Sequence, residues 1–387
     1  MTAPSATKAG EAWSAPRVFI PHPPPWRCQE GLRNLGALYC PCFATVLHYG
    51  QEGAVAHTTM EDVARRAGVS RSLVSLVMRN SPHVSAERRD RVVAAATELG
   101  YSPNAMARGL ASRQSGMVAV LLNDLHNPFF AETFDGLIEE AEARGLRLVL
   151  GAGSERRHAE LSAMHGFLQY RPDGIVLVSP RLTSSAIADV AAKVPVIVIG
   201  RNVRAGGIDC VMTDENRGAQ LAVDHLAELG HRRIVHVDGG RGAGAAPRRQ
   251  GYRKAMDRAG LARFVEILTG DFTERAGTLA GEALASRRRL PTAVFAANDL
   301  VAVGAIDALE RHGYDVPRDV SVVGYDNTFF ARLGHVSLTT VDQPREEMGR
   351  LALRLLSERM DGGNVPSRLE LTTPRLVVRS TTAAPAQ

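Results

Sequence analysis

The chain has 387 residues and a formal net charge of +5 at pH 7, and its length allows more than one domain with a core of its own. No run of about eighteen apolar residues occurs in it, which excludes a membrane-spanning helix. Three of the four cysteines lie in the first 57 residues, and the single residue between Cys40 and Cys42 is a shorter spacing than zinc sites use, so we expect neither a metal nor another cofactor.

The positive charge of the chain is concentrated in residues 58–113. This segment holds nine arginines against five acidic residues, whereas residues 114–387 carry no net charge. Arginines clustered in this way can neutralise the phosphates of a nucleic acid and release its counterions. The distribution therefore indicates a nucleic-acid partner for this segment.

The same basic segment contains the signals of three short helices. Thr59 stands at an N-cap with Asp62 three residues later, a near capping box, and Gly68 supplies a tight turn. Ser70 caps a second helix, so that helix, turn and helix fit into about twenty residues, and Ser85 opens a third helix. This spacing predicts a helix-turn-helix, and an ordinary helical hairpin is the alternative.

The second helix has two different faces. At about 100° per residue its apolar residues gather on one half, which is suited to a core. The other half would face DNA in a helix-turn-helix and consists of Arg71, Ser72, Ser75, Leu76 and Arg79.

A short segment links this unit to the rest of the chain. Pro103 fits poorly inside a helix, and the eight residues N-A-M-A-R-G-L-A that follow it are too few for a helix that is stable in isolation. We therefore expect a hinge and linker over residues 104–115.

From residue 116 onward, short runs rich in Val, Ile and Leu alternate with amphipathic helices such as Phe129 to Arg144. Runs such as V-A-V-L-L, G-I-V-L-V-S and V-S-V-V-G are typical of buried parallel strands. The pattern predicts an α/β fold class with two doubly wound parallel-sheet lobes. In such lobes a ligand lies in the cleft at the carboxyl ends of the strands.

The sequence contains no recognisable catalytic motif. G-x-S-x-G, a phosphate loop ending in G-K-S/T and H-E-x-x-H are all absent, and the glycine cluster D-G-G-R-G-A-G lacks the strand-helix fingerprint of a dinucleotide site. An enzymatic interpretation would therefore rest on fold analogy alone, and we do not expect an enzyme.

Seven motifs occur in order along the chain: D-V-A-R-R-A-G-V-S, V-S-L-V-M-R-N-S-P-H-V-S, L-G-Y-S-P-N-A-M-A-R-G-L, N-P-F-F, E-L-G-H-R-R-I, A-N-D and V-S-V-V-G-Y-D-N. Together they resemble the motifs of the lactose-repressor/galactose-repressor (LacI/GalR) family of transcription regulators, and the resemblance runs from about Thr58 to Arg379. It implies an N-terminal all-α helix-turn-helix DNA-binding domain over residues 58–103, a hinge helix and linker over 104–115, and a core over 116–387 that resembles a periplasmic sugar-binding protein. The first lobe is expected at about 116–213 and 344–365 and the second at about 214–343 and 366–380, with crossings near Thr213, Pro344 and Pro366.

The resemblance assigns DNA contacts to the helix-turn-helix. Arg71 and Ser72 reach base edges in the major groove, where an arginine can pair with guanine. Leu76 and Arg79 depart from the family pattern, in which arginine and asparagine are common, so the base preference cannot be copied from a relative; Leu76 either contacts a thymine methyl or joins the core. Contacts to phosphates and the groove edge are assigned to Ser70, Ser75, His83 and Ser85.

In the family the hinge folds only on operator DNA, paired with its dimer mate. The resemblance assigns Asn104, Ala107 and Leu110 to this contact, with Leu110 wedged between base pairs in the minor groove. The alternative is a linker whose leucine packs on the core.

The resemblance also implies a small-molecule effector between the lobes, with a sugar as the default. Seven residues are expected to bind it: Asn127, Phe130, Arg201, Arg248, Phe272, Asn298 and Asp326. Asp326 could instead cap the following helix, Asn298 could hold a loop, and Phe272 could belong to the core. The two arginines would also suit an acidic or phosphorylated effector.

The implied function is that of a homodimeric or tetrameric repressor in the cytoplasm, associated with the nucleoid and not with a membrane. It would bind near-palindromic double-stranded operator DNA with an affinity that the effector controls. An activator would have the same sequence features. A solute-binding or sensor protein on the same lobes is the alternative of a different class, which the helix-turn-helix and the lack of a signal peptide disfavour.

Residues 1–57 differ from the rest of the chain. They contain P-H-P-P-P and both tryptophans without a sustained helical or strand period, and family members usually begin shortly before the D-V-A motif. The segment from Val55 to Met60 looks like a normal family start if Val55 is the initiating residue. We therefore hypothesise that residues 1–54 are a mis-assigned upstream reading frame, with a disordered arm as the alternative; the intact mass of the protein from its native locus decides.

Overall fold

A computed structural model describes residues 58–101, 114–153, 156–362 and 366–386. The N-terminal extension and the hinge lie outside these residues. The DNA contacts of Asn104, Ala107 and Leu110 therefore stay predictions. The hypothesis that residues 1–54 are a mis-assigned reading frame also stays a prediction.

The helix-turn-helix forms as the capping signals predict. Helices α1 (Met60–Ala67), α2 (Arg71–Met78) and α3 (Ala86–Glu98) enclose a small core that includes Val63, Val74 and Val92. The Thr59 hydroxyl accepts the N–H of Asp62 while the Asp62 carboxylate accepts the N–H of Thr59, which completes the predicted capping box. Gly68 ends α1 at φ +65°, a left-handed conformation that favours glycine.

The first lobe is a parallel sheet with helices on both faces. In spatial order its strands are β11 (Leu369–Thr372), β5 (Ile208–Thr213), β4 (Val196–Ile199), β3 (Gly174–Val178), β1 (Met117–Leu122) and β2 (Arg147–Ala152). Helices α4 (Pro128–Arg144) and α12 (Arg345–Met360) cover one face, and α5 (Arg157–Gln169) and α6 (Ser184–Ala191) cover the other. Alternate residues of β1 enter the two cores because successive side chains of a strand point to opposite faces.

The second lobe repeats this architecture. Its strands in spatial order are β12 (Arg375–Val377), β10 (Thr339–Asp342), β9 (Ser321–Asp326), β8 (Ala293–Ala296), β6 (Ile234–Val237) and β7 (Glu266–Leu268). All pair in parallel except β12, which is antiparallel to β10. The helices are α7 (Glu215–Glu228), α8 (Ala245–Arg258), α9 (Glu274–Ala285), α10 (Asp299–Arg311) and the short α11 (Phe329–Arg332). The predicted fold class is confirmed.

The chain passes between the two sheets three times. It leaves the first sheet after Thr213 and returns between β10 and α12. The third crossing lies at residues 373–374, so its prediction near Pro366 is wrong. Residues 369–372 still belong to the first sheet because they pair in parallel with β5, and Pro374, which has no N–H to donate, separates them from β12.

In the part of the chain that the structure describes, no helix combines the length and the apolar character needed to cross a bilayer. The same residues contain no group of three or more His, Cys, Asp or Glu side chains that could surround a metal ion.

Candidate nucleic-acid interface and interlobe cleft

The outer face of α2 is polar and exposed. Arg71, Ser72 and Arg79 are exposed, whereas Val74 and Val77 fill the core beneath them. Leu76 is 36% exposed and does not belong to the core, which leaves it free to meet an apolar group from outside. The helix can therefore present base-contacting side chains without uncovering its core.

Several predicted phosphate contacts also have local structural roles. The Ser70 hydroxyl accepts the N–H of Leu73 and caps α2. Ser85 occupies the N-cap of α3 but makes no side-chain cap hydrogen bond, and His83 is exposed beside it. Ser75 is half-buried, and its carbonyl oxygen accepts a hydrogen bond from Arg79 Nε at 3.2 Å.

The turn after α2 is held by a residue that the sequence interpretation did not single out. Arg89 donates to the side chain of Asn80 at 2.7 Å and to the carbonyl of Ser81 at 2.6 Å. Asn80 has φ +54°, a left-handed conformation that asparagine tolerates. Arg89 thus positions the segment that carries His83.

A cavity lies between the two lobes at the carboxyl ends of their strands. It includes about 520 Å³ of atom-free space, part of which is open solvent. Five of the seven predicted effector residues lie on its wall: Asn127, Phe130, Arg248, Phe272 and Asp326. The structure does not bring Arg201 and Asn298 into this cavity.

Arg248 is the buried centre of the cleft. Its Nε and Nη2 donate to the two oxygens of Glu215 at 2.7 and 3.2 Å, and its Nη1 donates to the carbonyl of Ala297. Its Cζ lies 3.8 Å from the centroid of the Tyr325 ring. Burial opposes the charge on Arg248, but Glu215 and the neighbouring acids outweigh it and raise the pKa of Arg248.

Asp326 ends β9 on the cleft wall in an unusual backbone conformation. Its φ is +106°, which is strained for a residue with a side chain. Gln343 Nε2 donates to its carboxylate at 2.6 Å, and Arg248 Nη2 lies 3.9 Å from the same oxygen. Burial raises the pKa of Asp326, although Arg248 acts to lower it. A buried carboxylate in this setting is suited to accept hydrogen bonds from a ligand hydroxyl.

The alternative that Asp326 caps the following helix is wrong. That turn is held by Asp299, whose Oδ2 accepts the N–H and the hydroxyl of Thr328 at 2.7 and 2.9 Å. Asp299 Oδ1 accepts the hydroxyl of Thr340 at 2.6 Å. Burial raises the pKa of Asp299 as well, against these hydrogen bonds. Asp299 therefore fixes the chain just after Asp326.

Asn298 holds a loop, as one of the two sequence interpretations proposed. Its Oδ1 caps α10 by accepting the N–H of Val301, and its Nδ2 donates to the carbonyl of Phe272 at 2.9 Å. Because it is only 1% exposed and both of its amide atoms have partners, Asn298 positions Phe272 and does not line the cavity.

The glycine cluster D-G-G-R-G-A-G makes room for Phe272. A Cβ atom at Gly239 or Gly242 would lie 2.3 or 2.4 Å from the Phe272 ring, so only glycine allows this contact. The cluster forms the connection between β6 and α8. It places the ring next to Arg248, whose Cζ is 5.3 Å from the ring centroid.

Several polar residues of the cleft wall were missed by the sequence interpretation. Asn123, Ser179, Glu215 and Gln343 all line the cavity. Asn123 is 8% exposed, and its buried Oδ1 has no hydrogen-bond partner among the described residues. Asn123 and Ser179 directly follow β1 and β3, at the carboxyl ends of strands where the sequence predicts the ligand cleft.

A second set of contacts joins the lobes beside the cleft. Glu132, on α4 of the first lobe, accepts the N–H of Phe329 at 2.9 Å and Arg345 Nε at 2.7 Å. Arg345 Nη2 in turn donates to the carbonyl of Asn327 at 2.9 Å. The segment that follows Asp326 is thus tied directly to the first lobe.

A basic helix-turn-helix on the same chain as a two-lobed α/β body with a polar cleft defines a DNA-binding protein that also carries a small-molecule site. Residues 59–104 match the family model of bacterial regulatory proteins of the lacI family, and residues 223–382 match that of a periplasmic binding protein-like domain. The transcriptional repressor CytR of Escherichia coli K12 is 34% identical over 329 residues, which cover 84% of this chain and 96% of that protein. Catabolite control protein A of Priestia megaterium is 32% identical over 330 residues, which cover 84% and 99%. The chain belongs to the lacI family of bacterial transcription regulators.

Solved structures agree with this assignment. The Lac repressor dimer bound to operator and the anti-inducer ONPF is 30% identical with a TM-score of 0.76, and the match covers 84% of this chain and 99% of that one. The complex of the transcriptional regulator CelR with cellobiose is 33% identical with a TM-score of 0.63 and the same coverage.

Proposed function

We propose that the protein is a homodimeric repressor that binds a near-palindromic operator and changes its affinity when a sugar-like effector occupies the interlobe cleft. The observation that carries this proposal is the cleft itself, whose wall combines Asp326, Arg248 and Asn123 with the Phe272 ring. Carboxylate, guanidinium and amide groups next to an aromatic face suit a hydroxylated ring. The similarity to a repressor dimer on its operator and to a cellobiose complex supports the same function.

On DNA, Arg71 and Ser72 contact base edges, and Leu76 meets a thymine methyl. Ser70, Ser75, Arg79, His83 and Ser85 set the position on the backbone and groove edge, and Asn104, Ala107 and Leu110 of the hinge complete the contact in the minor groove. Dimerisation places two such units on the two half-sites. Such a regulator acts in the cytoplasm, on the nucleoid.

The experiment that tests the DNA-binding role is the substitution Arg71→Ala. We expect operator affinity to fall about thirtyfold or more, because each of the two half-sites loses a bidentate arginine–guanine contact that contributes roughly 1–3 kcal/mol of base discrimination. Fluorescence anisotropy at fixed salt, with the operator and a scrambled duplex of equal length, measures the effect.

Arg88→Ala is the matched control, since Arg88 is exposed on α3 and off the outer face of α2. It removes one positive charge and is expected to weaken both duplexes by similar factors. If Arg71→Ala also weakened both duplexes equally, Arg71 would be a phosphate contact and its assignment to bases would be wrong.

A further inference from the structure

A basic pocket opens beside the interlobe cleft. Four of its nine lining residues are arginines and none is acidic: Arg157, Pro180, Arg181, Leu182, Thr183, Arg201, Arg241, Gly242 and Ala243. We call it the arginine mouth. It shares Arg181, Gly242 and Ala243 with the cleft, so a single molecule can reach both.

Two of these arginines, Arg157 and Arg241, have no carboxylate partner in the described part of the chain, whereas Arg201 lies close enough to the buried carboxylate of Glu160 to act on its pKa. Arg201 Nη1 donates to the carbonyls of Pro180 and Leu182 at 2.9 and 2.8 Å, and Arg157 donates only to the carbonyl of Arg181. Arg241 is exposed and makes no ion pair or side-chain hydrogen bond with a described residue. Glu155, two positions before Arg157 in the sequence, carries one negative charge and lies outside the described residues.

The arginine mouth and the interlobe cleft differ in charge. Within the cleft Arg248 is balanced by Glu215, and Asp326 adds a second carboxylate, so this part of the site disfavours an anion. Two of the five N–H groups of Arg248 remain for neutral oxygens, since the others bond Glu215 and Ala297. A neutral hydroxylated ring therefore suits the cleft, and a negative group suits the arginine mouth.

The start of α8 adds to the positive potential of the mouth. Gly244 is its N-cap, and Gly242 and Ala243 lie directly before it. The N–H of Ala245 is donated to the carbonyl of Gly242, and Pro247 has no N–H, so the contribution comes from the helix dipole. The amino end of a helix favours an anion. Glu215 already lies beside Gly244 on the cleft side, so the anion is expected on the outer side, towards Arg241.

The arginines of the mouth come from both lobes. Arg157 and Arg201 belong to the first lobe and Arg241 to the second. When no anion is bound, repulsion between the arginines of the two lobes opposes closure of the lobes. An anion between them attracts the arginines of both lobes and so favours closure. We propose that the arginine mouth binds a phosphate or carboxylate carried by the effector, whose neutral ring lies in the cleft. This inference rests on the proposed function and names the effector class as a sugar phosphate or sugar acid.

The first test is a calorimetric titration of the full-length protein with inorganic phosphate, against sodium chloride of equal ionic strength. We expect saturable binding that weakens about tenfold or more in Arg157→Gln and in Arg241→Gln, because each loses a charge-assisted hydrogen bond. Arg288→Gln is the control, since Arg288 is exposed and lies outside the arginine mouth. It should bind phosphate like the wild type. The absence of saturable binding, or equal weakening in all three variants, would overturn the proposal.

The second test compares glucose with glucose 6-phosphate and glucuronate, and ribose with ribose 5-phosphate. The proposal predicts that a sugar phosphate or sugar acid binds about tenfold tighter than the corresponding neutral sugar, and that the Arg157→Gln/Arg241→Gln double variant loses this difference. Which anionic sugar binds tighter tells whether the group is a phosphate or a carboxylate. A neutral sugar that binds as tightly as its anionic partners overturns it. If no sugar of the panel binds, the phosphate titration decides. Neither titration contains DNA, so a failure of operator binding would leave these results unchanged.

Discussion

Replacement of Arg248 by methionine is expected to lower the free energy of unfolding by about 3–5 kcal/mol. The substitution removes the partner of Glu215, whose side chain is 4% exposed, and leaves a buried carboxylate without compensation. It also removes the donor to Ala297 and the cation stacked on Tyr325. Urea denaturation followed by circular dichroism measures the loss.

The double variant Glu215→Gln/Arg248→Met separates the buried charge from simple packing. It should recover a large part of the stability, because the amide that replaces Glu215 carries no charge to be desolvated. An exposed ion pair contributes at most about 1 kcal/mol. If Arg248→Met alone lowered the free energy of unfolding by less than this, Arg248 and Glu215 would not form the buried pair described above.

Replacement of Asp326 by alanine is expected to weaken effector binding by about a hundredfold and to abolish the response of the operator complex to effector. Hydrogen bonds to a charged group each contribute roughly 1.5–3 kcal/mol, and a buried carboxylate can accept more than one. Operator affinity without effector should stay unchanged, because Asp326 lies in the interlobe cleft and not on α2. Anisotropy on operator DNA across an effector titration measures both quantities.

Asp307→Ala is the matched control for this change. Asp307 lies on α10 of the same lobe, and its side chain is 59% exposed in an ion pair with Arg311. It should leave the effector response intact. A full response in Asp326→Ala would remove Asp326 from the site, and a loss of operator affinity without effector would assign it a structural role.

The parts of the fold that depend on local signals could be predicted from the sequence. Thr59, Gly68 and Ser70 act through atoms a few residues away, so their spacing was enough to place α1, the turn and α2. Strand β11 gave no such signal. Leu369 and Leu371 are 46% and 55% exposed at a sheet edge, and only pairing with β5, far away in the sequence, shows that residues 369–372 belong to the first lobe.

The candidate site also contains residues that local sequence motifs indicate and residues that only long-range contacts reveal. Asp326 and Phe130 lie in the motifs V-S-V-V-G-Y-D-N and N-P-F-F, on which the family resemblance rests, and both line the cleft, Phe130 from the first turn of α4. Glu215 was missed because its importance comes from Arg248, which lies 33 residues away in the sequence. Asn298 was ambiguous because one amide can cap a helix and bond a ligand, and only its contact with Phe272 shows which role its atoms fill.

The most direct test of the protein as an effector-controlled repressor is its affinity for DNA with and without effector. Genomic fragments selected by the wild-type protein supply the operator, and the tightest-binding sugar of the calorimetric panel serves as effector. We expect the operator to bind about a thousandfold tighter than a scrambled duplex at the same salt, and saturating effector to change that affinity at least about fivefold. Equal affinity for the two duplexes, or an operator affinity that stays constant while the effector saturates the cleft, would contradict this function.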